Sequence, residues 1–205
     1  MKIINIQFNK KNISSNIKKE SLNWAISFLK KKIKQRTLKD RVTLEGVGLH
    51  TGKTVKLTFS PATEDTGYIF VRTDLSPSVE IPADINYVTN TDRGTNLEKE
   101  GTKIQTSEHV LAALVGMGVD NCYIELDAAE SPIMDGSSKY FVDAIESIGI
   151  VEQNKLREEY VVTELITYKD EESGSEITLI PSDEYQVTTM VDFETKVLGT
   201  QNASL

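Results

Sequence analysis

The stretch Gln105-Thr106-Ser107-Glu108-His109-Val110-Leu111-Ala112-Ala113-Leu114 sets the reading of the whole chain. A hydroxyl at Thr106 or Ser107 suits a helix start, because it accepts a bond from the free N–H groups of the first turn. Leu111, Leu114 and Val115 follow at helical spacing and make an apolar stripe. Glu108 and His109 therefore fall in the first turn of a helix whose body is expected to be buried. Gly116-Met117-Gly118 supplies a C-terminal cap and an exit turn, so the helix runs about three turns at most.

The chain holds two histidines, and one of them stands here beside a carboxylate. A neutral imidazole is a common zinc ligand, and a neighbouring glutamate is a suitable base for a metal-bound water. Adjacent helical residues point about 100° apart. Glu108 and His109 thus read as one base and one ligand rather than as two ligands of one ion. A plainer reading stays open: a surface carboxylate that suits the helix dipole, next to a hydrogen-bonded histidine.

Outward from the helix the texture is that of short strands and turns. Upstream, Lys103-Ile104-Gln105 and Thr95-Asn96-Leu97 flank Glu98-Lys99-Glu100-Gly101, a predicted hairpin. Val42-Thr43-Leu44, then Val55, Leu57 and Phe59, then Tyr68-Ile69-Phe70-Val71-Arg72 read as strands. Val79-Glu80-Ile81-Pro82 reads as an edge piece, since proline cannot donate to a ladder. Gly46-Val47-Gly48-Leu49-His50-Thr51-Gly52 interrupts this pattern with three glycines in seven residues, but not at the spacing of a P-loop or a dinucleotide fingerprint.

Downstream, Cys122-Tyr123-Ile124-Glu125-Leu126 reads as a buried strand, with Cys122 packing as a small apolar residue. Ser137 or Ser138 is placed to cap a second helix with Phe141, Ile145 and Ile148 on one face, ended by Gly149. Asp135-Gly136 is expected to order the loop before it. Gln153-Asn154-Lys155 reads as a linker. Strand patterns resume at Tyr160–Val162, Ile177–Ile180 and Gln186–Val191. This C-terminal run without a covering helix reads as the incomplete start of a second domain.

Composition narrows the function classes. At 205 residues and 39% hydrophobic content, the chain can bury a core. One cysteine excludes a disulfide framework and suits a cytoplasmic setting. The net charge of −8 is uneven. Residues 1–37 carry ten Lys or Arg against Glu20 alone, whereas the remainder carries thirteen basic and thirty acidic residues. The body of the protein lacks the basic footprint that nucleic acid requires. Residues 1–34 read as a basic leader, either disordered or an amphipathic helix with Leu22, Ile26, Leu29 and Ile33 on one stripe. Such a helix lies on an anionic membrane surface.

The motifs Gln35-Arg36-Thr37-Leu38, Gly46 to Gly52, Thr106-Ser107-Glu108-His109, Gly118-Val119-Asp120-Asn121 and Pro132-Ile133-Met134-Asp135-Gly136-Ser137 occur in this order in one family. From about Gln35 onward the chain resembles the zinc-dependent UDP-3-O-acyl-N-acetylglucosamine deacetylases of lipid A synthesis. The block around Arg93-Gly94-Thr95 is most similar to the form fused to a hydroxyacyl-carrier-protein dehydratase.

The resemblance implies an α+β architecture of two similar domains, each a sheet with paired helices, with the active site between them. Residues 35–152 would form the first domain and 153–205 the truncated start of the second. It implies Zn2+ as cofactor, His109 as one metal ligand and Glu108 as catalytic base. The remaining ligands, a His and an Asp on a His-x-x-x-Asp helix, belong to the family's second domain, and no histidine follows His109 here. The expected chemistry is hydrolysis of the N-acetyl group of UDP-3-O-acyl-N-acetylglucosamine, with the chain inactive until its missing C-terminal half is supplied. His50 is expected to order its glycine loop near the site. Two other readings compete: a non-catalytic remnant, membrane-associated through residues 20–34, and an acidic interaction domain, which fits the composition but not the ordered motifs.

Overall fold

The computed structural model describes residues 2–6, 33–91, 93–182 and 185–205. The chain divides into two compact units, Lys31–Arg157 on its own, and Met1–Lys30 with Glu158–Leu205. The helical reading around Leu22, Ile26 and Leu29 lies outside the described residues. The described N-terminal piece, β1 (Lys2–Ile6), is a strand of the smaller unit.

The larger unit is α+β. It opens with β2 (Lys34–Leu38), β3 (Val42–Val47), β4 (Thr54–Pro61), β5 (Tyr68–Arg72) and β6 (Val79–Pro82). A small three-stranded sheet follows, made of β7 (Val88–Asn90), β8 (Asn96–Lys99) and β9 (Thr102–Ile104). The helix α1 (Glu108–Gly116), the strand β10 (Cys122–Leu126), the helix α2 (Lys139–Ile148) and the strand β11 (Ile150–Leu156) complete it.

The main sheet has the order β3-β4-β10-β5-β6. Strand β10 is central, antiparallel to β4 and parallel to β5, with Ile124 opposite Phe59 on one side and Phe70 on the other. Alternation along the strands gives the sheet one dry and one wet face. Val55, Leu57 and Phe59 are buried, as are Phe70, Ile124 and Leu126. On the other face Thr43 pairs with Thr58, Lys56 with Glu45, and Arg41 with Glu125. The two helices add Val110, Ala113 and Leu114 from α1 and Phe141 and Ile145 from α2 to the same core. Phe141 meets Phe59 edge to face at a centroid distance of 6.2 Å. A sheet covered on one face by two helices is the sandwich that the resemblance implies.

Most local expectations hold. Strand β6, with its Pro82, lies at the sheet edge. The hairpin β8–β9 turns through Glu100 (φ 51°) and Gly101 (φ 79°), and two positive φ values in a two-residue loop match the twist of the flanking strands. Gly118 (φ 66°) and Gly149 (φ 80°) follow the ends of their helices. Cys122 is fully buried.

Four expectations need correction. No side-chain hydroxyl caps either helix. Ser107 and Thr106 spend their hydroxyls as donors elsewhere, on Thr95 O and the Glu130 carboxylate. The buried stripe of α1 is Val110, Ala113 and Leu114, and Val115 is exposed. The stretch Gln153-Asn154-Lys155 is not a linker but part of β11, which pairs antiparallel with β2. That pairing is through the main chain, and Asn154 N–H bonds in addition to Glu64 in the loop after β4, so the strand needs no apolar alternation. Finally, Tyr160–Val162 forms no strand.

The smaller unit is a five-stranded sheet of order β12-β13-β1-β14-β15, with β12 (Ile166–Lys169), β13 (Glu176–Leu179), β14 (Thr188–Asp192) and β15 (Thr200–Ser204). Strand β1 runs parallel to β13 and antiparallel to β14. Among the described residues no helix is long and apolar enough to cross a membrane.

Candidate active site

Helix α1 begins at Glu108, with Ser107 as the preceding cap residue. The first N–H groups of a helix lack partners within it, and the end carries a partial positive charge that suits a carboxylate. The end would fray if nothing held it. Here the turn Arg93-Gly94-Thr95 holds it. Thr95 N–H donates to Glu108 Oε2 at 2.9 Å. Thr95 O in turn accepts from Ser107 N–H at 3.2 Å and from Ser107 Oγ at 2.9 Å. The turn runs through Arg93 at φ 60° and Gly94 at φ 155°. A Cβ on Gly94 would stand 3.2 Å from Glu108 Oε1, so glycine lets the backbone lie against the carboxylate.

His109 follows on the adjacent face. Its Nε2 lies 4.0 Å from Glu108 Oε1, and the two side chains are 28% and 37% exposed. Among the described residues no hydrogen bond engages its ring nitrogens, while its carbonyl accepts from Ser138 Oγ at 2.9 Å. The glutamate is thus tethered through one oxygen and turns the other toward a half-exposed imidazole. That arrangement suits one proton acceptor beside one metal donor. As a metal-binding group it is partial. Among the described residues no cluster of three or more His, Cys, Asp or Glu side chains is placed to hold an ion. His109 fits as one donor, and three protein ligands is the usual set for catalytic zinc.

The glycine loop between β3 and β4 comes to the same place. His50 Nε2 lies 3.3 Å from Arg93 O, so the second histidine braces the turn that holds Glu108. It is not brought to His109 as a second ligand. The loop itself is fixed by a residue the sequence did not single out. Glu130 is 1% exposed, and its Oε1 accepts from His50 N–H at 2.9 Å and its Oε2 from Thr51 N–H at 2.8 Å. Its Oε1 also accepts from Thr106 Oγ1 at 3.2 Å. Burial works to raise the pKa of this carboxyl, but the bonds from His50, Thr51 and Thr106 outweigh it and hold it below the ordinary value. Gly48 makes room, since a Cβ there would sit 2.4 Å from Glu130 Oε2. The only sequence signal for Glu130 is an acid in otherwise small surroundings, Ala128-Ala129-Glu130-Ser131.

Thr106 adopts φ 56° and is 3% exposed. A left-handed conformation costs a β-branched residue about 1–2 kcal/mol. Asp135 accepts from the Ser137 N–H and Oγ, which keep its carboxyl below the usual range. It orders the loop ahead of α2, as its Asp-Gly sequence suggests.

At the start of α1, in an α+β sandwich, a tethered carboxylate thus stands beside an imidazole whose ring nitrogens carry no hydrogen bond among the described residues. A family model for UDP-3-O-acyl N-acetylglycosamine deacetylase matches residues 35–205. The chain belongs to that family. It is 49% identical over 166 residues to the UDP-3-O-acyl-N-acetylglucosamine deacetylase of Hahella chejuensis, covering 81% of this chain and 54% of that protein. It is 45% identical over 173 residues to the bifunctional enzyme LpxC/FabZ of Chlorobaculum tepidum, covering 84% of this chain and 37% of that protein. A deacetylase of Coxiella burnetii is 46% identical over 175 residues, with 84% and 57% covered. The chain thus spans about half the length of the single-function relatives and a smaller share of the bifunctional one.

Proposed function

We propose that this chain supplies the base and one metal ligand of a cytoplasmic zinc-dependent deacetylase that removes the N-acetyl group of UDP-3-O-acyl-N-acetylglucosamine, the committed step of lipid A synthesis. The observation that carries the reading is the Glu108–His109 pair, with one glutamate oxygen tied to Thr95 N–H and the other 4.0 Å from the imidazole. The names of the relatives supply the substrate.

Among the described residues, His109 is the one that would hold zinc. When bound, zinc makes a water acidic enough to lose its proton near neutral pH and polarises the amide carbonyl. Glu108 accepts that proton at Oε1, the oxygen left free of Thr95. Tethering Oε2 removes the carboxylate's freedom to swing away and so favours productive geometry. Among the described residues no further ligands stand beside His109, so the remaining ligands and the acid that protonates the leaving amine would have to come from outside them.

The test uses the gene product that carries this chain, assayed on UDP-3-O-acyl-N-acetylglucosamine beside metal analysis. Glu108→Gln is expected to lower turnover by about 10²–10⁴-fold, the usual worth of a general base, while stoichiometric zinc is retained. His109→Ala is expected to lose both. Retained turnover in Glu108→Gln removes Glu108 from the mechanism.

A further inference from the structure

We infer that Glu130 is a positioning residue for the Glu108–His109 pair. Its buried carboxylate ties the glycine loop carrying His50 to the strained residue that launches α1. The inference rests on reading that pair as the working groups of the site.

Glu130 lies beyond β10 and before the Pro132–Met134 loop, outside the main sheet, where its main chain forms an isolated parallel bridge with Gln105, the residue before Thr106. It is nonetheless 1% exposed, and a carboxylate so buried needs its acceptor sites filled. The donors that fill them come from both sides of the site. His50 N–H and Thr51 N–H belong to the glycine loop, and Thr106 Oγ1 belongs to the residue two before Glu108.

Each side reaches the pair by its own route. From the loop, the His50 ring meets Arg93 O, and the next residues, Gly94 and Thr95, lie against the Glu108 carboxylate. From Thr106, the route is the main chain itself. Thr106 sits at φ 56°, so relaxing it toward the ordinary extended region would swing Ser107 and the start of α1. Its hydroxyl bond to Glu130 is its side-chain anchor. The two routes close a ring around the base, with Glu130 opposite Glu108.

The division of bonds makes the idea testable without turnover. Oε1 carries the His50 and Thr106 bonds, and Oε2 carries Thr51 alone. Glutamine keeps an oxygen at the Oε1 position but sets an NH₂ against Thr51 N–H. Alanine removes everything. The experiment is amide hydrogen exchange and histidine-ring NMR on the 205-residue chain, whose two imidazole signals are assigned with His50→Gln. In Glu130→Ala, the His50 and Thr51 amides are expected to exchange about tenfold faster or more, equivalent to about 1.4 kcal/mol. The His109 ring and Glu108 amide resonances are expected to move with them. In Glu130→Gln, Thr51 alone loses protection and the His109 and Glu108 signals stay near wild type.

Should Glu130→Ala fail to fold, Thr106→Val cuts the hydroxyl link while leaving the loop bonds in place. It is expected to move the Glu108 and His109 signals with His50 and Thr51 still protected. Unmoved Glu108 and His109 signals in Glu130→Ala, equal movement in the Gln and Ala variants, or an unmoved pair in Thr106→Val overturns the inference. These readouts follow position alone, so a failed hydrolysis assay would sink the functional reading and leave this result standing.

Discussion

Gly118→Ala tests how the far end of α1 is held. Gly118 has φ 66°, and a Cβ built on it would stand 1.7 Å from Arg36 Nη2 and 2.9 Å from Cζ. That overlap cannot persist. The guanidinium is the end of a flexible side chain, so it moves rather than the backbone. Two bonds go with it, Arg36 Nε–H to Gly118 O at 2.8 Å and Nη2–H to Met117 O at 3.2 Å. Both satisfy carbonyls at the C-terminal end of the helix, where a cation is favoured. Arg157 also donates to Gly118 O at 3.2 Å, so the net loss is closer to one charged bond than to two. One such bond is worth about 1.5–3 kcal/mol. The left-handed backbone adds about 1–2 kcal/mol for alanine. The expected cost is therefore about 2.5–5 kcal/mol.

An internal control separates the two terms. Gly101 has φ 79° in the β8–β9 turn, and nothing lies within 4 Å of a Cβ placed there. Gly101→Ala pays the backbone strain alone, about 1–2 kcal/mol. Urea unfolding followed by far-UV circular dichroism measures both variants. A double variant with Arg36→Gln is expected to bring the Gly118→Ala increment down to the Gly101 value. If Gly118→Ala costs no more than Gly101→Ala, the Arg36 bonds contribute nothing and the argument fails.

Other outcomes follow from the same geometry. Glu130 has a folded pKa below its ordinary value of 4.5, so its contribution to stability is complete above that value and is lost as pH falls through the folded pKa. Glu130→Gln is therefore expected to be less stable by about 1–3 kcal/mol at neutral pH, with the gap closing in acid, as read by urea midpoints at a series of pH values. Phe141→Ala removes a fully buried ring that stacks edge-on against Phe59, and is expected to lose about 3–5 kcal/mol in the same unfolding assay. Burial, with help from Glu125, pushes the Cys122 thiol up to about 12. Ellman's reagent at pH near 8 is expected to leave it unmodified in the folded chain and to titrate one thiol in urea. Gly94→Ala is expected to move the Glu108 amide resonance, because a Cβ 3.2 Å from Oε1 crowds the tethered carboxylate.

The parts of the fold that the sequence displays are those where burial writes a period. Val55, Leu57 and Phe59 alternate because one sheet face is dry, and Phe141 and Ile145 recur at helical spacing because one helix face is covered. Strand β11 carries no such period, because both its faces are largely polar and its pairing with β2 is made by the main chain. The buried stripe of α1 lies one position from the apolar spacing for a related reason. Alanines contribute to the buried face, so Ala113 counts toward it while the bulkier Val115 points to solvent. The candidate cap hydroxyls are turned instead toward tertiary acceptors, Thr95 O and Glu130, and no N–H of the first turn bonds to the Ser107 hydroxyl.

The site shows the same split between what side-chain identity reveals and what only the fold supplies. An acid next to one of only two histidines at a helix start is visible in the sequence as candidate chemistry. What makes such a pair usable is restraint, because an exposed helix end and a long glutamate side chain sample many geometries. The restraint here is delivered by Thr95 N–H, by the backbone of Gly94, and by a carboxylate that captures the amides of His50 and Thr51. Amides are carried by almost every residue, so their use leaves no mark in the sequence. The marks that remain are the glycines at 48 and 94, where a side chain would strike the two carboxylates being held. Those glycines locate the restraint from sequence only once one knows which acids they must avoid.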